Sequence, residues 1–402
     1  MFIYNFKRTV APIIIIVFSA IIFIFTEEIK RFFIVKNLFN EENIVYNFSN
    51  IHKMFDTINL EKSKNPLNLQ SKPQDLVKTF KINEEEIKTK NFLTETKTTS
   101  LMVIKNNKIT FEEYYLNTNR SDSRILWSAT KSIVGLVVGI ALIDGDIGEI
   151  NERIAEGLPL LENSGFKDVT ILQTLNMTSG IKFNENYDNF FSDINKFGRI
   201  IALGGSIDDF TGSMESEERP GKIQKYISIN THALAMMLEK KTKHRFLDYF
   251  YKKVWSLIKA EFNGKAVIDK EGSFMALGGF VLSTVDAAKF GLIMLNNGYL
   301  NNKQIIPTFW IKKIMNHKID PEVKIDESIK PFKYKMHWWF PADSQDEVFA
   351  SGIYGQYIYI NKKHKTVIVK TSADKRPKKY SKFSKLAHIN LFRAISKSTK
   401  LQ

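Results

Sequence analysis

A continuous apolar run, IVGLVVGIALI, occupies residues 133–143. Its apolar residues cover every face of a helix instead of one stripe, which is typical of a helix inside a protein. Ser128 and Lys131 stand three residues apart just before this run, so they lie on the same helical face. The pattern predicts a buried helix that begins at Ser128, with a hydroxyl and an ammonium group side by side on its first turn.

A second apolar run, residues 9–26, carries no charge and is preceded by Lys7 and Arg8. About 18 apolar residues approach the length that spans a bilayer. The positive charges before the run favour export of the rest of the chain. We expect residues 1–30 to form an uncleaved signal anchor in the inner (cytoplasmic) membrane, with the bulk of the chain on the periplasmic side. A buried core helix is the alternative.

The remaining pattern divides the chain into two parts. Residues 31–95 are polar and rich in Asn, Lys and Glu, and we interpret them as a stalk and lead-in segment. Residues 96–402 form the folded domain, in which β-rich runs flank Asn106 and Asn107 as in a tight hairpin. A helix-rich middle, a second hairpin at 355–373 and an amphipathic terminal helix follow. We expect an α+β fold with an antiparallel sheet flanked by helices and carrying a helix-rich insertion.

Composition excludes several kinds of chemistry. The 402 residues contain no cysteine, which removes disulfides, thiolate zinc sites and cysteine nucleophiles. The seven histidines never show metal-binding spacing, and no glycine-rich phosphate loop or G-x-S-x-G elbow occurs. A metal hydrolase and an α/β-hydrolase are therefore disfavoured, and we expect neither a metal nor an organic cofactor.

Positive charge is concentrated at the C-terminus. The net charge is +15, and from Asn361 onward 13 Lys and Arg face one acidic residue, Asp374. This region could contact anionic envelope components. The alternative is the solvated face of a terminal strand and helix, which the helical spacing of Leu386, Ile389 and Phe392 favours. Nucleic acid is not expected as a partner of an exported chain.

Ser128 and Lys131 permit two interpretations. A serine at a helix N-terminus usually caps the helix, and S-x-x-K recurs at Ser164, Ser256 and Ser372. Only after Lys131 does a fully apolar helix follow, however. Burial lowers the pKa of a lysine and makes it a proton acceptor beside the serine, which is the arrangement of covalent catalysis. We therefore favour catalysis.

WSATKS followed by an apolar helix resembles the nucleophile helix of the serine β-lactamase and penicillin-binding-protein superfamily, whose signature begins with S-x-x-K. The closest likeness is to the class C-like branch of esterases, D-amino-acid peptidases and 6-aminohexanoate-dimer hydrolases. Four further stretches agree in order, so that the resemblance covers roughly residues 95–395: VTILQTLNMTSG, YISINTHALAMMLEKKT, ALGGFVLSTVDAAKFGLIMLNNG and ASGIYGQYIYI. It implies a serine β-lactamase/DD-peptidase-like fold.

The resemblance implies roles for individual residues. Ser128 would be the nucleophile, Lys131 its base, and Tyr226 a proton shuttle whose phenol has a pKa lowered by the nearby lysine. Ser228 replaces the asparagine of the family's Tyr-x-Asn element and offers one donor where an amide offers two. Tyr187 lies where relatives carry a substrate-facing loop, although a surface aromatic is the alternative.

The third family element departs most from the pattern. Ala350, Ser351 and Gly352 stand in place of Lys-Thr-Gly, so the cation that holds the substrate carboxylate in antibiotic-binding relatives is missing. By resemblance, the backbone N–H groups of Ser128 and Ile353 would form the oxyanion hole, and Gly352 would let the strand approach the substrate. A simple strand bulge is the alternative for Gly352.

These observations predict a membrane-anchored serine hydrolase that cleaves an amide or ester through an acyl-enzyme on Ser128. A class C-type β-lactamase or D-Ala peptidase is the alternative enzyme. A non-catalytic envelope binding protein with the penicillin-binding-protein fold is the alternative of another class, but it has no need of Ser128, Lys131 and Tyr226 together.

Overall fold

The computed structural model describes residue 35 and residues 37–82, 84–375 and 377–398, with the backbone alone for 377–384. The described helices are α1 Ile44–Ser49, α2 Thr89–Glu95, α3 Ala129–Ile143, α4 Pro159–Glu162, α5 Ile171–Leu175, α6 Asp193–Leu203, α7 Ile207–Gly212, α8 Ile229–Thr242, α9 Phe246–Phe250, α10 Ser256–Ile258, α11 Thr284–Leu295, α12 Thr308–Met315 and α13 Pro377–Lys397. A 3₁₀ turn covers Ile51–Lys53 and a π-helical turn covers Tyr251–Trp255.

The described strands are β1 Thr57–Leu60, β2 Thr79–Ile82, β3 Glu85–Lys88, β4 Thr98–Lys105, β5 Lys108–Tyr114, β6 Ser123–Ile125, β7 Ile223–Gln224, β8 Gly264–Val267, β9 Phe280–Ser283, β10 Tyr299–Leu300, β11 Lys303–Gln304, β12 Lys324–Ile325, β13 Phe332–Lys335, β14 Trp338–Pro341, β15 Glu347–Gly352, β16 Gln356–Asn361 and β17 Thr366–Ser372.

The main sheet has seven antiparallel strands in the order β13-β14-β15-β16-β17-β4-β5. Strand β4, from the beginning of the domain, pairs with β17 from its end. The β4–β5 turn contains Asn106 and Asn107 at φ 49° and 63°, a left-handed conformation that asparagine tolerates. Both predicted hairpins and the sheet assembled from the two ends of the domain are confirmed.

Side chains alternate between the two faces of this sheet. Met102, Ile358 and Val367 belong to one core cluster together with residues of α3 and α11. Their neighbours Leu101, Tyr359 and Ile368 belong to a second cluster, which includes buried residues of α13. Since successive residues of a strand point to opposite faces, the sheet carries a helical layer on each side. The predicted α+β arrangement of helices around an antiparallel sheet is confirmed.

Helix α3 lies inside the protein as its sequence predicts. Every residue from Ala129 to Ala141 is buried. Helix α8 packs beside it, and β15 of the main sheet contacts it as well. A helix surrounded in this way holds its first turn, and therefore Ser128, in a fixed position.

The segment before residue 96 packs against the domain. Ile44 and Phe48 of α1 are buried in the main core cluster. Strand β1 pairs antiparallel with β8 in a second sheet of order β1-β8-β9-β6. The division at residue 96 stays a prediction, but residues of the interpreted stalk contribute to the same core as α3.

The predictions of a membrane-spanning helix and of an inner-membrane location are corrected. Among the described residues, no helix is both long enough and apolar enough to cross a membrane. Helix α3 is apolar, but its 15 residues span only roughly 22 Å. Helix α13 has 21 residues but carries lysines along its length. Residues 9–26, on which both predictions depended, lie outside the described residues.

The basic C-terminal region forms β17 and α13. In α13, Ile389, Phe392 and Ile395 are buried against the sheet, as their helical spacing predicts. Arg393 binds the carboxylates of Asp343 and Glu347 at 2.6 and 2.8 Å. Contact with anionic envelope components stays a prediction.

Candidate active site

Ser128 lies at the N-terminus of α3 but does not cap it. Its hydroxyl accepts no hydrogen bond from the backbone of the first turn. Instead, the Lys131 Nζ donates to Ser128 Oγ at 2.8 Å. The capping interpretation of Ser128 therefore fails, and the hydroxyl faces the one lysine that the sequence places on the same helical face.

Lys131 is enclosed by the protein, with 1% of its surface exposed. Its Nζ also donates to the carbonyl oxygen of Leu277 at 2.7 Å. Burial lowers the pKa of Lys131 to about 7, although the negative charge of Glu185 opposes this. Near neutral pH a large fraction of Lys131 is thus uncharged and can accept a proton from Ser128.

The ring of Tyr226 contacts both the Lys131 ammonium and the ring of Trp339. The Lys131 Nζ is 5.4 Å from the centre of the Tyr226 ring. The Tyr226 ring also stacks on the ring of Trp339; the two ring centroids are 5.3 Å apart and the ring planes are inclined by 26°. Burial raises the pKa of the Tyr226 phenol, and the negative charge of Glu185 raises it further, while hydrogen bonding to Ser128 and Ser228 lowers it.

This direction differs from the lowered pKa expected for Tyr226 from the resemblance. The loss of water around the phenol and the negative charge of Glu185 outweigh the hydrogen bonds with Ser128 and Ser228. Tyr226 is therefore a protonated phenol in the free protein and can donate, not accept, a proton. Of the two groups beside Ser128, Lys131 is the one whose lowered pKa allows it to accept a proton near neutral pH.

Glu185 is a site residue that was not predicted from the sequence. It accepts a hydrogen bond from the Ser228 backbone N–H at 2.9 Å and a short one from the Ser228 hydroxyl. The Tyr187 hydroxyl donates to the same carboxylate at 3.1 Å. Burial raises the pKa of Glu185. The positive charge of Lys131 and the hydrogen bonds from Ser228 and Tyr187 offset only part of this rise. Glu185 thus joins Ser228 and Tyr187, which were predicted separately, into one group.

A signal for Glu185 was present in the sequence. Residues i and i+2 of an extended segment lie on the same side, and Glu185 stands two positions before Tyr187. A predicted pocket role for Tyr187 therefore places Glu185 on the same side. Tyr187 does line the pocket, and its side chain is only partly exposed.

The end of β15 approaches the nucleophile closely. A Cβ on Gly352 would lie 2.2 Å from the backbone oxygen of Leu126, so no larger residue fits without a shift. Trp127 and Tyr354, next to Ser128 and Ile353, have left-handed backbones at φ 46° and 66°. Such conformations are rare outside glycine and often occur at functional sites.

A cavity of about 390 Å³ opens beside Ser128. Most of the predicted site residues line this cavity: Ser128, Tyr187, Tyr226, Ser351, Gly352 and Ile353. Its walls also contain ten residues that the sequence did not identify: Glu185, Asn186, Asp188, Ser328, Trp339, Tyr354, Gly355, Tyr357, Asp374 and Lys385. Lys131 and Ser228 are buried directly behind this surface. The arrangement places the Ser128 hydroxyl, which accepts a hydrogen bond from Lys131, in the wall of a cavity large enough for a small molecule.

The other three S-x-x-K segments show no such pair. Ser164 and Ser256 donate to the backbone carbonyl oxygens of Leu161 and Lys252. Ser372 accepts a hydrogen bond from Lys370, not from the lysine three residues later. The segment that a fully apolar helix follows is thus the one in which the serine and the lysine are hydrogen-bonded to each other.

Comparison with known proteins agrees with this geometry. The beta-lactamase family matches the chain over residues 89–388. The 6-aminohexanoate-dimer hydrolase of Paenarthrobacter ureafaciens is 26% identical over 291 residues, which are 70% of this chain and 74% of that protein.

Two solved structures are similar in fold. A candidate 6-aminohexanoate-dimer hydrolase from Bacillus anthracis superposes with a TM-score of 0.77 at 22% identity, covering 89% of this chain and 96% of that one. A family VIII carboxylesterase superposes with a TM-score of 0.54 at 14% identity, covering 76% of this chain and 95% of that one.

Proposed function

This chain belongs to the beta-lactamase family and is a serine hydrolase, and we propose that it cleaves an amide or ester bond through an acyl-enzyme on Ser128. The observation that carries the proposal is the 2.8 Å hydrogen bond between Lys131 Nζ and Ser128 Oγ inside the protein. A buried, partly neutral lysine beside a serine hydroxyl is an activated nucleophile. A binding protein without turnover gains nothing from it.

The first step is attack on the carbonyl. Neutral Lys131 takes the proton from Ser128 Oγ while this oxygen bonds to the carbonyl carbon, and the carbonyl oxygen becomes negative. The backbone N–H groups of Ser128 and Ile353 are proposed to stabilise that oxyanion, since neither donates a hydrogen bond to another group within the described residues. Each such donor contributes about 2.7–4 kcal/mol to the transition state.

The second step is departure of the leaving group. Tyr226, a protonated phenol beside Ser128, is placed to donate a proton to the leaving nitrogen or oxygen, and the proton on Lys131 then replaces it. Ser228 and Glu185 hold the tyrosine side of the pocket through their mutual hydrogen bonds. Water then attacks the acyl-enzyme with the same groups acting in reverse order, which releases the acid.

The names of the relatives support the class of substrate. A 6-aminohexanoate-dimer hydrolase and a carboxylesterase, as their names say, act on an amide and on an ester. We propose that this chain acts on a small linear amide or ester as well. Position 350 is an alanine, so the third family element of this chain does not itself supply the lysine that holds the carboxylate of lactam antibiotics in relatives.

The proposal is tested with single substitutions and a neutral 4-nitrophenyl ester. Ser128→Ala and Lys131→Ala should each lower kcat/KM by about 1,000-fold or more, because each removes half of the nucleophile–base pair. Ser164→Ala removes a hydroxyl from another S-x-x-K segment and should leave kcat/KM unchanged. Full activity in Ser128→Ala would contradict the mechanism.

A further inference from the structure

The missing lysine of the third family element leaves a question about substrate charge. Ala350, which stands in its place, is fully buried in the core and presents no polar group. Lys335 donates to the carbonyl oxygens of Asn316 and Lys318 and does not line the cavity. Neither residue 350 nor residue 335 therefore places a positive charge in the wall of the cavity.

A cation nevertheless reaches the cavity from the C-terminal helix. Lys385 of α13 lines the cavity, although it lies about 250 residues after Ser128 in the sequence. Its Nζ lies 3.6 Å from the centre of the Trp339 ring, which is close contact for an ammonium over an aromatic face. Trp339 in turn stacks on Tyr226.

These contacts limit the distance between Lys385 and the reacting groups. The Nζ lies 3.6 Å from the Trp339 centroid, and that centroid lies 5.3 Å from the centroid of Tyr226. Because the two distances add to 8.9 Å, the ammonium cannot be farther than that from the centre of the Tyr226 ring. Because Ser128 and Lys385 line the same cavity, a substrate held at Ser128 can extend to the Lys385 ammonium.

Three carboxylates, those of Glu185, Asp188 and Asp374, also line the cavity, but none of them forms an ion pair with Lys385. Within the described residues, its Nζ forms no hydrogen bond or ion pair. Glu185, the carboxylate beside Tyr226, is occupied by Ser228 and Tyr187. Burial lowers the pKa of Lys385 to about 7, and no carboxylate offsets it. Lys385 is only partly exposed, so a ligand that brings a negative charge next to it would stabilise its charged form.

We propose that Lys385, resting on Trp339, binds a carboxylate carried by the substrate and so replaces in space the lysine that the third family element lacks. The inference rests on the proposed hydrolase function and specifies its substrate class. The substrate is an amide or ester that bears a carboxylate a few atoms from the scissile carbonyl. Lys385 is then a residue that determines specificity, because it contacts the substrate away from the reacting atoms.

Two pairs of esters test the proposal and locate the carboxylate. In the first pair, the mono-4-nitrophenyl ester of glutaric acid and its methyl ester differ by a carboxylate on the acyl side. In the second, 4-acetoxybenzoate and its methyl ester differ by a carboxylate on the leaving group. The ratio of kcat/KM for acid over methyl ester is measured for each pair, so that intrinsic reactivity cancels when variants are compared.

The wild-type protein should prefer the acid in at least one pair. Lys385→Met should lower that acid-over-ester ratio by about 10-fold or more, the usual effect of losing a charge-assisted hydrogen bond. Lys385→Arg should retain the preference because the charge remains. Lys335→Met, which removes an equal charge away from the cavity, should leave the ratio unchanged.

An unchanged ratio in Lys385→Met would overturn the proposal, as would a wild-type protein that prefers the methyl ester in both pairs. These results differ from failure of the hydrolase function, in which none of the four esters is cleaved. In that case calorimetry with glutarate decides. Binding to the wild type that Lys385→Met abolishes supports the anion site, and equal binding or none overturns it.

Discussion

At the scale of single residues, burial shifts the pKa values of the two groups that are proposed to transfer protons. Lys131 and Tyr226 are both enclosed beside Ser128, and loss of water disfavours the charged form of each. For the lysine this means a pKa lowered to about 7, whereas for the phenol it means a raised pKa. The same physical cause thus supports the proposed roles of Lys131 as the base and Tyr226 as the acid.

The pH dependence of kcat/KM should report Lys131. With a neutral ester as substrate, kcat/KM should rise as pH increases through about 7, because the lysine with a lowered pKa loses its proton there and becomes the base. A half-maximal rate near pH 10.5, the ordinary lysine pKa, would show that burial does not tune this group. Fluorophosphonate labelling rates over the same range provide an independent profile.

Residues inside local motifs could be predicted, and residues brought by tertiary structure could not. Ser128 and Lys131 were identifiable because their spacing and the apolar helix after them lie within one short segment. Trp339 and Lys385 reach the cavity from β14 and α13, so no spacing in the sequence links them to Ser128. The protonation of Tyr226 depends on surrounding burial and could not be predicted either.

At the scale of elements, the end of β15 and the start of α3 form one unit. Gly352 lies against the backbone of Leu126, two residues before Ser128, and only a glycine fits that contact. The strand can therefore bring the Ile353 N–H to the same cavity as the nucleophile. A side chain at position 352 would push the two elements apart.

Gly352→Ala should lower kcat/KM by about 100-fold or more, because its Cβ would displace β15 and cost an oxyanion donor. The matched control is Gly198→Ala in α6, where an added Cβ meets no atom within 4 Å. That variant should keep full activity and at least wild-type stability, since alanine favours a helix over glycine. Comparable activity in the two variants would contradict the close approach of β15.

Elements with strong local signals were predicted correctly. The asparagine pair at 106–107 predicted the β4–β5 hairpin, and the apolar run after Ser128 predicted α3. Helix α1 was missed because a polar composition concealed it. Ile44, Phe48 and Ile51 nevertheless recur at helical spacing and are all buried, which is the pattern of one apolar face.

At the scale of the whole molecule, the segment before residue 96 packs against residues that adjoin the candidate active site. Phe48 is fully buried and packs edge-on against Trp127, with ring centroids 5.5 Å apart. It also contacts Tyr354 at 5.3 Å, and Phe39 stacks on the same ring at 5.1 Å. Trp127 and Tyr354 adjoin the two proposed oxyanion donors, so this aromatic cluster holds both left-handed turns.

Phe48→Ala should lower the free energy of unfolding by about 3–5 kcal/mol through the cavity it leaves, and it should also reduce kcat/KM. Phe191→Ala is the control, because 82% of that side chain is exposed and little packing is lost. Urea denaturation measures both variants. Equal stability would mean that the segment before residue 96 does not belong to the cooperative fold.

The central claim is that Ser128 is an activated nucleophile. Intact-mass spectrometry of the full-length chain after exposure to a serine-reactive fluorophosphonate tests it most directly, with Ser128→Ala treated in parallel. The account predicts a single adduct on the wild type and none on Ser128→Ala. No adduct on the wild type, or an equal adduct on both proteins, would contradict it.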